Sequence, residues 1–483
     1  MVRATETGDP RTPGRWPPSR RGSAGPHSSL LTSAATRFRK EAALSSVIGV
    51  VVFSLSLLTA PILARALGPE GRGDLAAVLM PAIVLSWLLS LGVPSAAAYF
   101  VDEVPERQLL STVALLGLAL GGPVCAGLWF LLPAFLDGHS QTTLVWARVA
   151  LVAAPFSMGL QSAMEILRRR GAGASWNRWR SAPLILPSVG VAVLAVIDRL
   201  TLQTALAAYS VGNTVPLLLL VARLVRGEGG GPSMATLRLI LPYASRSAVV
   251  VGTTALTVRL DQVVLATMVP SGQLGIYAVA VTASAASGPL TSGLSLALFG
   301  HQRSEGSPSR ASTRYRRTIV LTLLLSSATA FAVALVAPVV LPLVFGQEFS
   351  GAVRALWILL PGQVAIDILV VFTTSLYAEG RPDEAMRAAL LGGVITAVGL
   401  FTLVPRFGIV GAAMTTSLAF ISEAIFLVAR GVLRPSSPAE GEPDPQAAID
   451  PTTSAVRELA VVQSQEEPLA GRACDPLPGQ ERR

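Results

Sequence analysis

Apolar runs of helix length recur twelve times along this chain, separated by short turns rich in Gly, Pro and Arg. The first six cover residues 43–67, 74–98, 109–135, 144–167, 181–198 and 201–223; the second six cover 239–269, 275–300, 318–345, 352–378, 384–404 and 407–430. Each approaches or exceeds the roughly 17–25 residues that a helix needs to cross a bilayer. Breakers lie inside several runs, as in LGVPS (91–95), ALGGP (119–123) and LILPY (239–243). Transmembrane helices tolerate such residues, and the kinks they cause can serve gating.

The two sets of six resemble each other. Runs 6 and 12 align without a gap at an offset of 207, which lays LVAR 220–223 over LVAR 427–430. The turn before Gly73 lies over the turn before Gly275 at an offset of 202, and ILRRRG (166–171) over LYAEGR (376–381) at about 209. An even number of helices per repeat gives both halves the same orientation, related by an axis along the membrane normal. The expected fold is therefore an all-α integral membrane protein of about twelve helices, in two six-helix lobes around a central cavity. The expected divisions are a basic tail (1–42), a first lobe (43–223), a linker (224–238), a second lobe (239–432) and a second tail (433–483). Both tails are polar, with no apolar periodicity, and are expected to be disordered. No apolar run at the N-terminus has the form of a cleavable signal.

Composition agrees with this class. The chain is 51% hydrophobic and 14% charged, which describes a polytopic membrane protein rather than a soluble domain. The net charge of +9 follows topology and does not point to nucleic acid. With an inside N-terminus, 16 loop arginines fall on the inner side and 5 on the outer side. The positive-inside rule then places both termini in the cytoplasm of a multi-pass protein, here expected in a bacterial plasma membrane. Two cysteines, Cys125 in an apolar run and Cys474 in a polar tail, do not make a disulfide framework.

Chemistry concentrates in Ser245–Ala280, where Arg259 and Asp261 lie inside a span. At about 1.5 Å per residue, Arg259 is roughly 15 Å from the turn at Pro270, near the middle of a ~30 Å hydrocarbon layer. A charge at that depth costs about 2.5–3.5 kcal/mol even on the lenient insertion scale. It needs a wet cavity, a partner or a substrate. Residues two apart point to different sides of a helix, so Arg259 and Asp261 do not neutralise each other face to face.

The ordered set ARALGPEGRGDLAAV (64–78), SLGVPSAAAYFV (90–101), LPYASRSA (241–248), RLDQVVLATMVPSGQLGIYAVA (259–280), LPLVFGQEFSGA (341–352) and FGIVGAAMTTSLAF (407–420) resembles the multidrug/oligosaccharidyl-lipid/polysaccharide exporter superfamily. Within it the chain is most similar to the Wzx-like polysaccharide biosynthesis flippases. The resemblance covers residues 43–430. It implies a V-shaped pair of lobes alternating between inward- and outward-open states. It also implies a polyprenyl-diphosphate-linked glycan as substrate, membrane lipids as surroundings, and glycosyltransferases and a polysaccharide polymerase as working partners.

Such a substrate carries a dianionic diphosphate, which suits the planar, permanently charged fork of arginine. Arg259 is the first candidate, with Arg246, Arg148 and Arg65 behind it. The bland readings stand beside these: Arg259 as a structural pair with Asp367, Arg148 and Arg246 as snorkelling side chains, and Arg65 as an interfacial anchor. Asp261, Asp367, Glu165 and Glu423 are the acids available for coupling transport to H+ or Na+, or for ion pairs; Glu165 sits beside the inner arginines 168–170. Tyr209, Tyr277 and Trp357 suit either sugar stacking or packing. His27, His139 and His301 lie in tails or loops and lack metal-ligand spacing. No metal or cofactor is expected.

The rival functions are a cation- or proton-coupled drug exporter and a lipid II flippase, both of the same superfamily. The second often has fourteen spans against the twelve read here. A membrane-bound polymerase or ligase is disfavoured because no outer loop is long enough for a catalytic domain. GxxxxGK[ST] is absent, so ATP hydrolysis is not expected and the chain is read as a transporter, not an enzyme.

Overall fold

The computed structural model describes residues 26–90, 92–285, 308–378 and 382–433. No strand occurs among them, as the bilayer requires of a chain whose backbone polar groups must be satisfied within each segment. The helices are α1 (Pro26–Ser90), α2 (Val93–Phe100), α3 (Glu106–Phe135), α4 (Gln141–Ala153), α5 (Ser157–Arg169), α6 (Gly173–Val196), α7 (Leu202–Thr214) and α8 (Leu217–Arg226) in the first half. The second half has α9 (Met234–Met268), α10 (Ser271–Ser284), α11 (Pro308–Phe345), α12 (Ala352–Ala378), α13 (Pro382–Phe407) and α14 (Ile409–Leu433). Nine stretches among the described residues are long and apolar enough to cross a membrane. Large apolar side chains such as Phe130 (81% exposed) and Val196 (87%) turn outward, as a multi-pass membrane protein demands of its lipid face.

Several helices extend beyond the apolar runs. α1 begins at Pro26, so residues 26–42 are helical where a disordered tail is expected. The reason is local. Pro26 takes the first helical position, where its missing N–H costs nothing, and no further Pro or Gly follows until Gly49. α6 starts at Gly173 and α11 at Pro308, before the expected 181 and 318, because hydropathy marks only the part of a helix that lipid covers. The expected tails at 1–25 and 434–483, and the second part of the eighth span after residue 285, lie outside the described residues.

Two faces can be told apart. One carries the arginine-rich turns. There Glu106, at the start of α3, accepts from Arg170 and, at 2.8 Å, from Arg223. Tyr99 of α2 stacks on Tyr243 of α9 with ring centroids 4.9 Å apart, and Gln108 donates to Thr236 at 2.9 Å. This polar clasp fixes the start of α9 on the first half.

The opposite, arginine-poor face is made by the kink in α1. Gly68 has φ 67°, a left-handed conformation that glycine adopts at little cost, and it turns the chain from the first span into the second. The second arm, from Pro69, crosses the turn between α9 and α10 at backbone contact. A Cβ added at Gly73 would lie 1.7 Å from the Ser271 carbonyl oxygen, and one added at Gly275 would lie 2.0 Å from the Pro69 carbonyl oxygen. The contact is reciprocal: residues 69 and 73 of one repeat meet 275 and 271 of the other, at the 202-residue offset legible in the sequence. A self-complementary contact of this kind is what a two-fold axis produces. The largest apolar core forms around it, joining Leu63, Leu75, Leu265, Leu274, Tyr277 and Phe349.

Alanine at Gly73 or Gly275 is therefore expected to lower the midpoint of thermal unfolding in detergent. Overpacking costs about 1–3 kcal/mol when side chains can yield, and here the obstacle is backbone. Gly122→Ala, with open space around it, is the control expected to change nothing. Equal midpoints for all three would contradict the close approach.

Candidate functional site

α9 runs through the centre of this arrangement, packed on α1 and α2 of the first half and on α13 of the second. Its two mid-span charges, Arg259 and Asp261, make no ion pair with each other. Asp261 is 2% exposed and fully engaged. Its Oδ2 accepts from the Tyr277 hydroxyl of α10 at 2.5 Å and from the Thr416 hydroxyl of α14 at 3.2 Å; its Oδ1 accepts from the Gln262 amide at 2.7 Å. Three helices are thus pinned by one carboxylate. Three donors satisfy a buried acid without any ion pair. Tyr277, a candidate for sugar stacking, is fully buried and spends its hydroxyl on this bond.

Arg259 is half-buried and forms no ion pair with an acid among the described residues. The alternative pairing with Asp367 is not made. Asp367 is buried on α12 and accepts from Ser326 of α11 and, at 3.3 Å, from Gln363.

The remaining candidates do not gather around it. Arg65 is exposed at the end of the first arm of α1 and donates to the Leu343 carbonyl at the end of α11, 2.5 Å away, which ties the halves on the arginine-poor face. Arg148 lies over the Trp129 ring at 5.1 Å, and its Nε is buried with no hydrogen-bond partner among the described residues. The side chain of Arg246 lies outside the described residues. Glu165 pairs with Arg168 on its own helix at 2.5 Å. Glu423 is buried on α14 against Gly392 of α13, where an added Cβ would stand 1.6 Å from its Oε1; that oxygen has no partner among the described residues. Trp357 donates its indole N–H to the Ala334 carbonyl at 3.0 Å, beside a groove of about 530 Å³ between α11 and α12. The groove is lined largely by apolar residues, Phe331, Leu335 and Leu360 among them, and holds none of the charged candidates.

Two features escape a reading of the sequence. Arg72, beside the kink, lies near Tyr209 of α7, with its Nε buried and without a hydrogen-bond partner among the described residues. His139, a loop residue with no motif around it, bridges Asp74 and the Ala266 carbonyl. Its partners are 65 and 127 residues away, and no local signal announces them. Among the described residues no cluster of His, Cys, Asp and Glu has the makings of a metal site.

The arrangement is shared with solved membrane proteins. The chain superimposes on the lipid II flippase MurJ in its inward closed conformation with a TM-score of 0.67 and 13% identity, covering 88% of this chain and 94% of that one. A multidrug resistance MATE family transporter of the MOP superfamily, inward-facing, gives a TM-score of 0.60 at 17% identity over 80% of this chain and 98% of that one. At these identities the likeness is one of fold. The sequence profile of the polysaccharide biosynthesis protein family matches residues 38–299, more than half of the chain, and the chain belongs to that family. It is also 36% identical over 81 residues to a probable low-salt glycan biosynthesis flippase, Agl15, of Haloferax volcanii; that match covers 17% of either protein.

Proposed function

We propose that this protein moves a polyprenyl-diphosphate-linked oligosaccharide from the cytoplasmic to the outer leaflet of a bacterial plasma membrane, by alternating access, for assembly of surface polysaccharide. The observation that carries this reading is the reciprocal Gly73–Gly275 contact in a member of the polysaccharide biosynthesis family. A two-fold backbone seam, tight on one face, is a surface along which two lobes can part and rejoin as rigid bodies. The arginine-rich face is taken as cytoplasmic and the kink face as outer.

Each residue then has a physical task. Arg259 holds the diphosphate through its bidentate fork. Asp261 locks α9, α10 and α14 together and so fixes the height of Arg259. Among the acids, Glu423, whose Oε1 is buried without a partner among the described residues, is the group whose protonation or cation binding is best placed to couple the second lobe to an ion gradient. Glycosyltransferases on the inner face supply the substrate, and a polymerase on the outer face consumes it.

The direct test uses proteoliposomes loaded with a fluorescent polyprenyl-diphosphate oligosaccharide. Glycosidase added outside should release more label than in protein-free vesicles. Release equal to that of protein-free vesicles, together with efflux of a cationic dye, would replace this reading with drug export. Topology is checked separately. Asp137 and Ala174, both exposed and on opposite faces, are replaced by cysteine one at a time in a chain lacking Cys125 and Cys474. An impermeant maleimide applied to whole cells should label position 137 and not 174; the reverse pattern would invert the orientation.

A further inference from the structure

The turn between α3 and α4 presents His139 to both halves at once. Leu136 closes α3 on Leu132, the His139 amide donates to the Leu136 carbonyl at 3.1 Å, and Ser140 caps α4. The ring is held in place by this turn, and its side chain is 3% exposed. Nδ1 lies 2.6 Å from Asp74 Oδ1, in the second arm of α1, and Nε2 lies 3.1 Å from the carbonyl oxygen of Ala266, in the last turn of α9. Asp74 and His139 belong to the first half; Ala266 belongs to the second. The bond crosses the seam next to Gly73.

The Ala266 carbonyl needs this donor. Its partner in a continuing helix would be the amide of residue 270, which is Pro270 and has no N–H. A cation at a helix C-terminus is favoured by the helix dipole as well. Both groups facing the ring are acceptors. A neutral imidazole has one N–H and satisfies one of them; an imidazolium satisfies both. When the ring carries one proton, the Asp74 carboxylate holds it. Nε2 then turns a lone pair toward a carbonyl oxygen, and the bond across the seam is lost.

We propose that His139, Asp74 and the Ala266 carbonyl form a proton-operated latch on the outer face: a proton bound from the outer medium closes the seam, and its release lets the halves part. The proposal rests on the alternating-access reading. It adds a proton site outside the membrane core to the candidate acids within it.

The surroundings of the ring agree. Asp74, from α1, is the charged group that acts on it. Asp137 of the same turn is exposed, Arg72 of α1 lies near Tyr209 of α7, and α9 offers the carbonyl. The bond to Asp74 lies within the first half and raises the ring whether the seam is open or closed; the Ala266 carbonyl, the acceptor across the seam, raises it only while the seam is closed. A group raised in the closed state stabilises that state below its ordinary value and loses this contribution as pH rises through the raised value. Acid therefore favours the closed seam and base opens it.

The test is a distance measurement across the seam on the full chain in lipid nanodiscs. Spin labels are placed at Gln141→Cys and Gln273→Cys, both exposed on this face, with Cys125→Ser and Cys474→Ser. Between about pH 5 and 9, the ratio of long to short distances should climb by up to about tenfold per pH unit through one transition. His139→Gln should show an elevated long fraction with no such transition. Asp74→Asn should keep the transition and shift it to lower pH. If the wild type shows both distances in a ratio that pH does not move, the latch is wrong and alternating access stands. The same holds if His139→Gln keeps the wild-type transition. If a single distance persists at every pH and with substrate present, both readings fall.

Discussion

A disulfide between cysteines introduced by Pro69→Cys and Gly272→Cys is expected to stop transport, and a reductant is expected to restore it. A Cβ at position 272 would stand 3.9 Å from that of Pro69, within the roughly 3.5–4.5 Å that disulfides span. The bond would staple the seam where the second arm of α1 meets the turn before α10. Either single substitution leaves the seam free to open. In a background without Cys125 and Cys474, oxidant should shift the double variant on a non-reducing gel and abolish glycosidase-accessible label in the vesicle assay. Transport that continues with the cross-link complete would show that the seam never opens, and the alternating-access mechanism would be lost with it.

Replacing Arg259 with alanine is expected to remove transport while leaving abundance near normal. The Asp261 cage is the reason abundance survives. Tyr277, Thr416 and the Gln262 amide supply that carboxylate with donors, so deleting the arginine orphans no buried charge. Removing one partner of a buried ion pair would instead cost about 3–5 kcal/mol. The loss of function follows from the substrate. Two charge-assisted hydrogen bonds at about 1.5–3 kcal/mol each put the fall in flux at about a hundredfold or more. Lysine should recover part of it, since it keeps the charge and loses the planar fork. Flux measured per unit of protein separates the outcomes. Unchanged flux in Arg259→Ala would remove the diphosphate from this position. A collapse in abundance, reversed by neutralising an acid nearby, would make Arg259 structural.

The two experiments probe different links of one mechanism. The cross-link acts on backbone motion far from any charge, whereas the arginine acts on affinity in mid-membrane. Asp261 connects them: its bonds to Tyr277 and Thr416 pin α9, the helix that bears Arg259, to α10 and α14. Arg65 donates to the Leu343 carbonyl and so also joins α1 to α11 on the arginine-poor face.

The twelve spans, the repeat and the sidedness of the arginines could be read from the sequence because each is a local property. A span partitions into lipid on its own composition, before it meets any neighbour. Arg259 was legible for the same reason, since a charge within an apolar run is conspicuous wherever the run packs. The helical start at Pro26 lay beyond this kind of reading, because hydropathy reports the lipid-covered part of a helix and not its end. What only the tertiary structure decided are the partnerships across the chain. The repeat aligned Gly73 with Gly275, but nothing in one dimension indicated that they would meet backbone to backbone. Nor did anything indicate that Asp261 would find its donors in Tyr277 and Thr416, or that His139 would reach Asp74 and Ala266. Those choices depend on which faces of distant helices come together, and in lipid that is settled by close packing and by the need of each buried polar group for a partner.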